Sequence, residues 1–208
     1  RRALTGNLRL RQLDVPLSVS IGVALSDDEL LSDNDTSAAS TLISNADTAM
    51  YEAKSAGRGR SVLFTAEMHS AARERAELAS ELARAITDRH LTIEYQPMFS
   101  TVTHQAVGAE ALVRWEHPER GWIDPSAFIS IAEEAGSIAQ LGEFVLDQAL
   151  LETRLWTERG IISDDFAVHV NVSRVQLASS TFVNFVMSML RSHGVRPEQL
   201  VLEARETA

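Results

Sequence analysis

The sequence has 208 residues, of which 45% are apolar and 23% are charged, a composition typical of an ordered globular chain of one or two domains. The formal net charge of -10 argues against a nucleic-acid polymer as partner, because proteins that bind phosphate backbones present a basic surface. The chain has no cysteine, which excludes disulfides, a thiolate nucleophile and a zinc-thiolate site and leaves oxygen or imidazole ligands for any metal ion.

The first third of the chain predicts a strand, a helix and a second strand. Residues 17–25 alternate apolar and small side chains in the period-2 pattern of a strand, and residues 61–64 form another short apolar run. Between them, apolar residues recur at helical spacing over 42–53, and Gly57 follows where a C-terminal glycine cap is expected. Residues 66–89 have the composition of an amphipathic connecting helix, which predicts a domain boundary there.

The rest of the chain alternates strands with helices. Strand patterns occur at 91–99, 106–115, 166–173 and 200–206. One helix is predicted from Asp124 and Pro125 to about Gly160, and another from the N-cap Ser173 to Gly194. This alternation predicts parallel β/α units and therefore an α/β fold.

Each of these strands has one face that carries polar side chains, because successive residues point to opposite faces. By this parity the shared faces are Thr92, Glu94 and Gln96; Glu110, Leu112 and Arg114; His169 and Asn171; and Val201, Glu203 and Arg205. In a β/α barrel the site lies at the C-terminal ends of the strands, where such side chains converge. Glu110, Asn171 and Glu203 would then offer oxygen ligands suited to Mg²⁺ or Mn²⁺. Arg114 would hold a phosphate oxygen.

Other roles remain open for the same residues. Glu110 paired with an arginine would be an internal ion pair, and Asn171, just before a strand-to-helix turn, would tie that loop by hydrogen bonding. Glu203 would face solvent if its strand lies at an edge. His169 is interpreted as an interior histidine with a satisfied hydrogen bond.

Five motifs then occur in an order that identifies a family. They are YQPMF, EALVRWEHP, DPSAFISIAEEAGSIAQLGEFVL, VNVSRVQL and LVLEARET, and with this order the chain resembles an EAL-type cyclic di-GMP phosphodiesterase over about residues 78–208. The resemblance implies a TIM-like β/α barrel, of which these residues would form about the first half.

The residues before this region resemble the closing part of a GGDEF domain, in the motifs SVSIGVA and ADTAMYEAKSAGRGR. The implied domains are the C-terminal part of an α+β GGDEF domain at 1–65, a helical linker at 66–77 and the truncated EAL domain at 78–208. Lys54 and Arg58 match family positions near the GTP phosphates. Without the rest of that site, we expect them simply to occupy a helix C-terminus, where cations are favoured.

The EAL resemblance implies roles for particular residues. Glu110, Asn171 and Glu203 match metal-ligand positions, and Gln96, Leu112 and Arg114 match substrate-binding positions. Arg205 stands where most relatives have threonine, which puts in doubt both metal binding at this face and the carry-over of Glu206. The implied reaction is metal-dependent hydrolysis of cyclic di-GMP to linear pGpG, with Mg²⁺ or Mn²⁺ activating water and neutralising phosphoryl charge.

The later catalytic residues of the family lie beyond residue 208, so this chain alone is expected not to hydrolyse cyclic di-GMP. As an open half-barrel with an unpaired strand edge, it is also expected to be unstable or self-associating. Because the GGDEF loop itself is not in the sequence, the chain is expected to make no cyclic di-GMP from GTP. The parent is expected to be a homodimer with cytoplasmic domains, and an upstream membrane anchor remains open. The alternative function is that of a non-catalytic cyclic di-GMP receptor or a regulatory GGDEF-EAL protein.

Overall fold

The computed structural model describes residues 6–10, 13–26, 35–163 and 165–204. Its contacts divide the chain into two compact units, Arg1–Ala76 and Glu77–Ala208. Within the described ranges, none of the helices combines the length and the apolar character that a membrane crossing requires.

The first unit contains two small sheets and a long helix. Its elements are β1 (Gly6–Leu10), β2 (Leu13–Leu17), β3 (Ile21–Val23), α1 (Asp35–Ser55), β4 (Ser61–Leu63) and the start of α2 (Ala66–Thr87). Strands β1 and β2 pair antiparallel, whereas β3 and β4 pair parallel. The strand predicted at 17–25 is thus shorter than its apolar pattern, and the helix begins earlier than predicted.

Helix α1 packs very closely on β3. A Cβ atom built on Gly22 would lie 1.9 Å from the carbonyl oxygen of Ala46 and 2.3 Å from the amide nitrogen of Met50, so this strand position has space for hydrogen alone. Lys54 lies in the last turn of α1 and Arg58 follows at a φ of 57°, which places both cations at the C-terminal end of the helix.

The second unit is built on a sheet with the strand order β5-β6-β8-β9, to which β7 adds by pairing with β6. Its strands are β5 (Thr92–Phe99), β6 (Ala106–His117), β7 (Gly121–Ile123), β8 (Ala167–Val172) and β9 (Leu200–Ala204). Its further helices are α3 (Pro125–Ala135), α4 (Ile138–Glu158), α5 (Arg174–Leu177) and α6 (Phe182–His193), with a 3₁₀ turn at Pro197–Gln199.

The sheet is mixed, because β6, β8 and β9 run parallel whereas β5 runs antiparallel to β6. The predicted parallel β/α arrangement therefore holds for β6, β8 and β9 but does not extend to β5. The physical reason is the short connection at 100–105, since a parallel pair needs a crossover of a dozen or more residues. The Ser100 hydroxyl instead accepts hydrogen bonds from the Val102 and Thr103 amides and closes a tight turn.

The two long helices predicted after β6 and β8 are each divided in the structure. Helix α3 begins after the N-cap Asp124, whose carboxylate accepts a 2.7 Å hydrogen bond from Ser126 N, and ends at Gly136 with a φ of 76°. Helix α4 restarts two residues later. After β8, α5 and α6 are separate, with Ser173 capping α5 as predicted and Gly194 ending α6 at a φ of 67°.

Ser173 and Gln176 form a capping box directly after β8. The Ser173 hydroxyl accepts from Gln176 N at 3.2 Å, and Gln176 Oε1 accepts from Ser173 N at 3.1 Å. The amide end of Gln176 lies against Gly142 of α4, where a Cβ atom would come within 1.9 Å of Gln176 Nε2. Because glycine has no side chain, residue 142 leaves room for the capping box that fixes the chain after β8.

The core of this unit lies on one face of the sheet, between the strands and the helices. Trp115, which is 2% exposed, packs edge-on against the buried ring of Phe128 at a centroid distance of 5.8 Å. Ala111, Val168 and Val170 belong to the same buried cluster. Because side chains alternate along a strand, the polar residues of β6 and β8 occupy the opposite face.

Candidate functional site

The face opposite this core carries polar side chains on four adjacent strands. They are Glu94 and Gln96 on β5, Glu110 and Arg114 on β6, His169 and Asn171 on β8, and Glu203 on β9. Gln96 is paired in register with Glu110, Glu110 with His169, and Asn171 with Glu203. We call these seven residues the polar face.

Glu110 and Asn171 are in direct contact across β6 and β8. The Asn171 side chain donates from Nδ2 to Glu110 Oε1 at 2.6 Å, and both residues are half-buried. A hydrogen bond from a neutral amide to a carboxylate is charge-assisted and fixes both side chains. Two of the three residues predicted as metal ligands are therefore brought together.

Glu203, the third residue predicted as a metal ligand, is hydrogen-bonded to His169 instead. Nδ1 of His169 lies 2.7 Å from Glu203 Oε1, and the two side chains are 18% and 39% exposed. His169 thus has a satisfied hydrogen bond, as predicted, but its partner is itself a candidate ligand. Gly108 gives the imidazole room, since a Cβ atom there would lie 3.4 Å from the ring and 2.6 Å from the Ala167 carbonyl oxygen.

Arg114 lies farther along the same face and is bound to Glu94, which the sequence had placed on the polar face without a role. The Arg114 Nε donates to Glu94 Oε2 at 2.7 Å, and its side chain is 26% exposed. Gln96 is exposed beside Glu110, and Leu112 is half-buried opposite Glu94. Cross-strand partners such as Glu94 follow from the register, which the local sequence does not specify.

Arg114 and Glu94 also line an open cleft of about 400 Å³. The other lining residues are Trp122, Ile123, Asp124 and Pro125, from β7 and the start of α3. Sequence analysis assigned no role to Trp122, whose indole is 62% exposed, and it predicted Asp124 only as the start of a helix. The sequence does contain a signal for this part of the cleft. The glycine turn before Trp122 and the Asp-Pro helix start indicate a short hairpin followed by a helix.

The polar face carries the kinds of ligand that a hard divalent cation prefers, although these side chains are not already arranged as a metal-binding cluster. Among the described residues there is no group of three or more His, Asp or Glu side chains positioned to hold a metal ion. Glu110, Asn171 and Glu203 offer two carboxylates and an amide, which are the oxygen donors that Mg²⁺ and Mn²⁺ prefer. Rotation of the Asn171 amide exchanges its nitrogen for its oxygen. Arg205 and Glu206 lie outside the described residues.

Comparison with known proteins identifies relatives of the whole second unit. The model of the EAL domain family matches residues 79–208. MucR of Pseudomonas aeruginosa, a bifunctional diguanylate cyclase/cyclic di-GMP phosphodiesterase, is 38% identical over 194 residues, which cover 93% of this chain and 27% of MucR. The cyclic di-GMP phosphodiesterase PdeR of Escherichia coli is 38% identical over 183 residues, covering 88% of this chain and 26% of PdeR.

Solved structures agree with this assignment. The MucR phosphodiesterase in complex with c-di-GMP is similar with a TM-score of 0.57 and 39% identity, over 61% of this chain and 50% of that chain. The EAL enzyme Bd1971 shares the fold at 21% identity, with a TM-score of 0.60 over 85% of this chain and 44% of that chain. The chain spans about a quarter of the length of the curated relatives that it matches. On the family match over more than half of its residues, the chain belongs to the EAL domain family.

Proposed function

We propose that the intact protein hydrolyses cyclic di-GMP to linear pGpG in a reaction that depends on Mg²⁺ or Mn²⁺. Two relatives of 38% identity are named as cyclic di-GMP phosphodiesterases, and a similar solved structure of 39% identity is a c-di-GMP complex. The observation that carries the proposal is the 2.6 Å contact between Glu110 and Asn171 on adjacent strands. This contact supports the proposal because a carboxylate and an amide, two groups that can ligate a hard cation, lie side by side on the polar face.

Glu110, Asn171 and Glu203 are the residues that would hold the divalent ion. When bound, such an ion lowers the pKa of water and offsets charge on the phosphoryl oxygens. Within the chain, the Glu110–Asn171 hydrogen bond keeps the two side chains next to each other before the ion arrives, and the Asn171 amide would then present its oxygen to the ion. His169 holds Glu203 in place by occupying Oε1, which leaves Oε2 for the ion.

The proposed substrate contacts are Arg114, Gln96 and Leu112. Arg114 would hold a phosphate oxygen, because its guanidinium matches phosphate geometry and keeps its charge. Glu94 already fixes Nε of this guanidinium at 2.7 Å, so part of the entropy of ordering a long side chain is lost before substrate binds. Gln96 would donate from its amide and Leu112 would give an apolar contact.

The wider organisation is also a proposal. We assign residues 1–65 to the end of a GGDEF domain, supported by the MucR match that extends well before residue 79. We assign 66–77 to a linker and the second unit to part of a β/α barrel that acts as a homodimer in the intact protein. A purified intact protein that sediments as a monomer at all concentrations would contradict the dimer.

The test is nucleotide chromatography on the intact protein with cyclic di-GMP and Mg²⁺. Production of pGpG is expected, and Glu110→Gln should lower turnover by orders of magnitude, because the charge is lost while the shape is kept. Glu133→Gln, an exposed carboxylate on α3, is the matched control and should keep parental turnover. A Glu110→Gln enzyme with parental turnover would refute the metal role. Binding without cutting by the parent protein would identify a receptor.

A further inference from the structure

A buried histidine holds the turn between β6 and β7. His117 is the last residue of β6, is 5% exposed and lies outside the polar face. Its Nδ1 atom accepts hydrogen bonds from the backbone amides of Glu119 at 3.1 Å and of Arg120 at 3.2 Å. Gly121, which pairs in register with His117, closes the turn at a φ of 68°. The imidazole is thus part of the turn itself.

These two contacts determine which nitrogen of the ring carries the proton. A backbone amide only donates, so Nδ1 must accept and the ring proton lies on Nε2. Nε2 lies 3.1 Å from Oε2 of Glu81 on helix α2, and it donates to that carboxylate. Trp115 packs edge-on against the same ring at a centroid distance of 5.4 Å. Within the second unit, the His117 ring therefore connects α2 to the β6–β7 turn.

The β6–β7 turn joins the two walls of the open cleft that Arg114 lines. Glu94 and Arg114, on β5 and β6, form one wall, and residues 122–125, on β7 and at the start of α3, form the other. Strand β7 has three residues and pairs with β6 over three positions. A strand this short has few hydrogen bonds to fix its place. The conformation of the turn therefore determines how far the second wall stands from Arg114.

We propose that His117 is a positioning residue for substrate binding, which holds the β6–β7 turn in place and is itself oriented by Glu81 of helix α2. The inference rests on the proposed function, in which Arg114 holds a phosphate oxygen. Glu81 and His117 affect the affinity for substrate without touching it, because they fix the turn that joins the two walls. Helix α2 (Ala66–Thr87) thereby gains control over substrate affinity.

Two substitutions at residue 117 separate the two contacts of the ring. An asparagine amide places its oxygen where Nδ1 stands, whereas a glutamine amide reaches the position of Nε2. Isothermal titration of the intact protein with cyclic di-GMP, in EDTA to prevent turnover, compares them. His117→Gln leaves the turn amides without their acceptor and should weaken binding by about 2- to 30-fold, the effect of a residue that acts through others. His117→Asn keeps the acceptor and should bind more tightly than His117→Gln.

Turnover and stability distinguish positioning from a purely structural role. With Mg²⁺, His117→Gln should raise KM by the same factor as the Kd and leave kcat unchanged. A histidine that only stabilises the fold would lower the urea midpoint of both variants, while the folded molecules kept the parental Kd and KM.

Glu81 provides a second test at a less buried position, since its side chain is 27% exposed. Glu81→Ala should weaken binding in the parent but have no further effect in His117→Asn, because Glu81 acts through the ring. Glu81→Gln keeps an oxygen that accepts from Nε2 and should bind as the parent does. Glu77→Ala truncates an exposed carboxylate on the same helix and is the matched control.

The outcomes separate this inference from the proposed function. Parental affinity in both His117→Gln and Glu81→Ala, or an equal loss from Glu81→Ala in the parent and in His117→Asn, would overturn the positioning role. A parent that binds cyclic di-GMP but does not cut it would refute hydrolysis, and the Kd values would still decide the role of His117. A parent that does not bind at all would refute both.

Discussion

Replacing Asn171 with Asp tests the metal assignment through stability instead of turnover. The change removes the donor that lies 2.6 Å from Glu110 Oε1 and places a second carboxylate beside the first. Loss of a hydrogen bond to a charged group costs about 1.5–3 kcal/mol. Two unit charges about 3 Å apart repel by roughly 1.4 kcal/mol in water and by roughly 5.5 kcal/mol at an effective dielectric constant of about 20.

Protonation limits this repulsion. Placing a proton on one of the two carboxylates at neutral pH costs about 4 kcal/mol and removes the repulsion, so a larger repulsion is relieved in this way. We therefore expect Asn171→Asp to lower the free energy of unfolding without metal by about 3–7 kcal/mol, from the sum of these terms. A cation held between the carboxylates would remove the repulsive part of that loss.

Mg²⁺ should accordingly stabilise the variant more than the parent chain. A ligand at 100 times its Kd stabilises the state that it binds by about 2.7 kcal/mol. For Asn171→Asp the gain should exceed that of the parent by about 1.4–4 kcal/mol, which is the repulsion relieved. If Asn171 merely ties the loop after β8, Mg²⁺ should not distinguish the two chains.

The assay is urea unfolding of the 208-residue chain with EDTA and with excess Mg²⁺, followed by tryptophan fluorescence at a protein concentration at which size-exclusion chromatography shows no self-association. All three tryptophans, Trp115, Trp122 and Trp156, lie in the second unit, so the signal reports on the site's own unit. Asn184→Asp, at an exposed position on α6, adds the same charge elsewhere and serves as control. An equal Mg²⁺ gain in the parent chain and Asn171→Asp would refute the reasoning.

Two further predictions concern packing and charge. Asp147→Asn should lower the free energy of unfolding by about 1–2 kcal/mol, since Asp147 accepts from the exposed Arg89 at 2.6 Å and from His193 at 3.0 Å. Burial raises the pKa of Asp147, but these two hydrogen bonds together hold it below its usual value, so the difference in urea midpoint should persist above about pH 5 and vanish as the pH falls through that lowered pKa. Gly22→Ala should cost about 3 kcal/mol or more and speed hydrogen exchange in α1, because the new Cβ would meet the backbone at Ala46.

For each of these two predictions, one result would contradict it. A urea-midpoint difference for Asp147→Asn that stays constant down to about pH 2 would show that its charge is not what stabilises the fold. Unchanged exchange in α1 of Gly22→Ala would show that the helix can move away without loss.

Much of the second unit could be predicted from residue patterns, because the informative signals there are local. The alternation in β6 predicts that Glu110 and Arg114 share a face, and the caps Asp124 and Ser173 predict where helices begin. These features depend on the alternation of side chains along a strand and on hydrogen bonds between residues that are close in sequence.

The remainder depended on interactions that a local pattern does not contain. The break at Gly136 was missed because apolar residues continue at helical spacing on both sides of it, although a glycine with positive φ ends the helix. The contact between His169 and Glu203 spans 34 positions and requires the register of β8 and β9. The antiparallel direction of β5 was fixed by loop length and not by the composition of the strand.

The Gly142–Gln176 contact has a consequence for protein engineering. Exchanging a glycine inside a helix for alanine is a standard stabilising substitution, because alanine improves helix propensity by about 1 kcal/mol. In α4 the methyl group of an alanine at residue 142 would lie 1.9 Å from Gln176 Nε2. It would therefore displace this amide and open the capping box that Gln176 forms with Ser173. The substitution that a propensity scale recommends would therefore loosen the loop next to the polar face, so thermostabilisation of this protein should leave residue 142 unchanged.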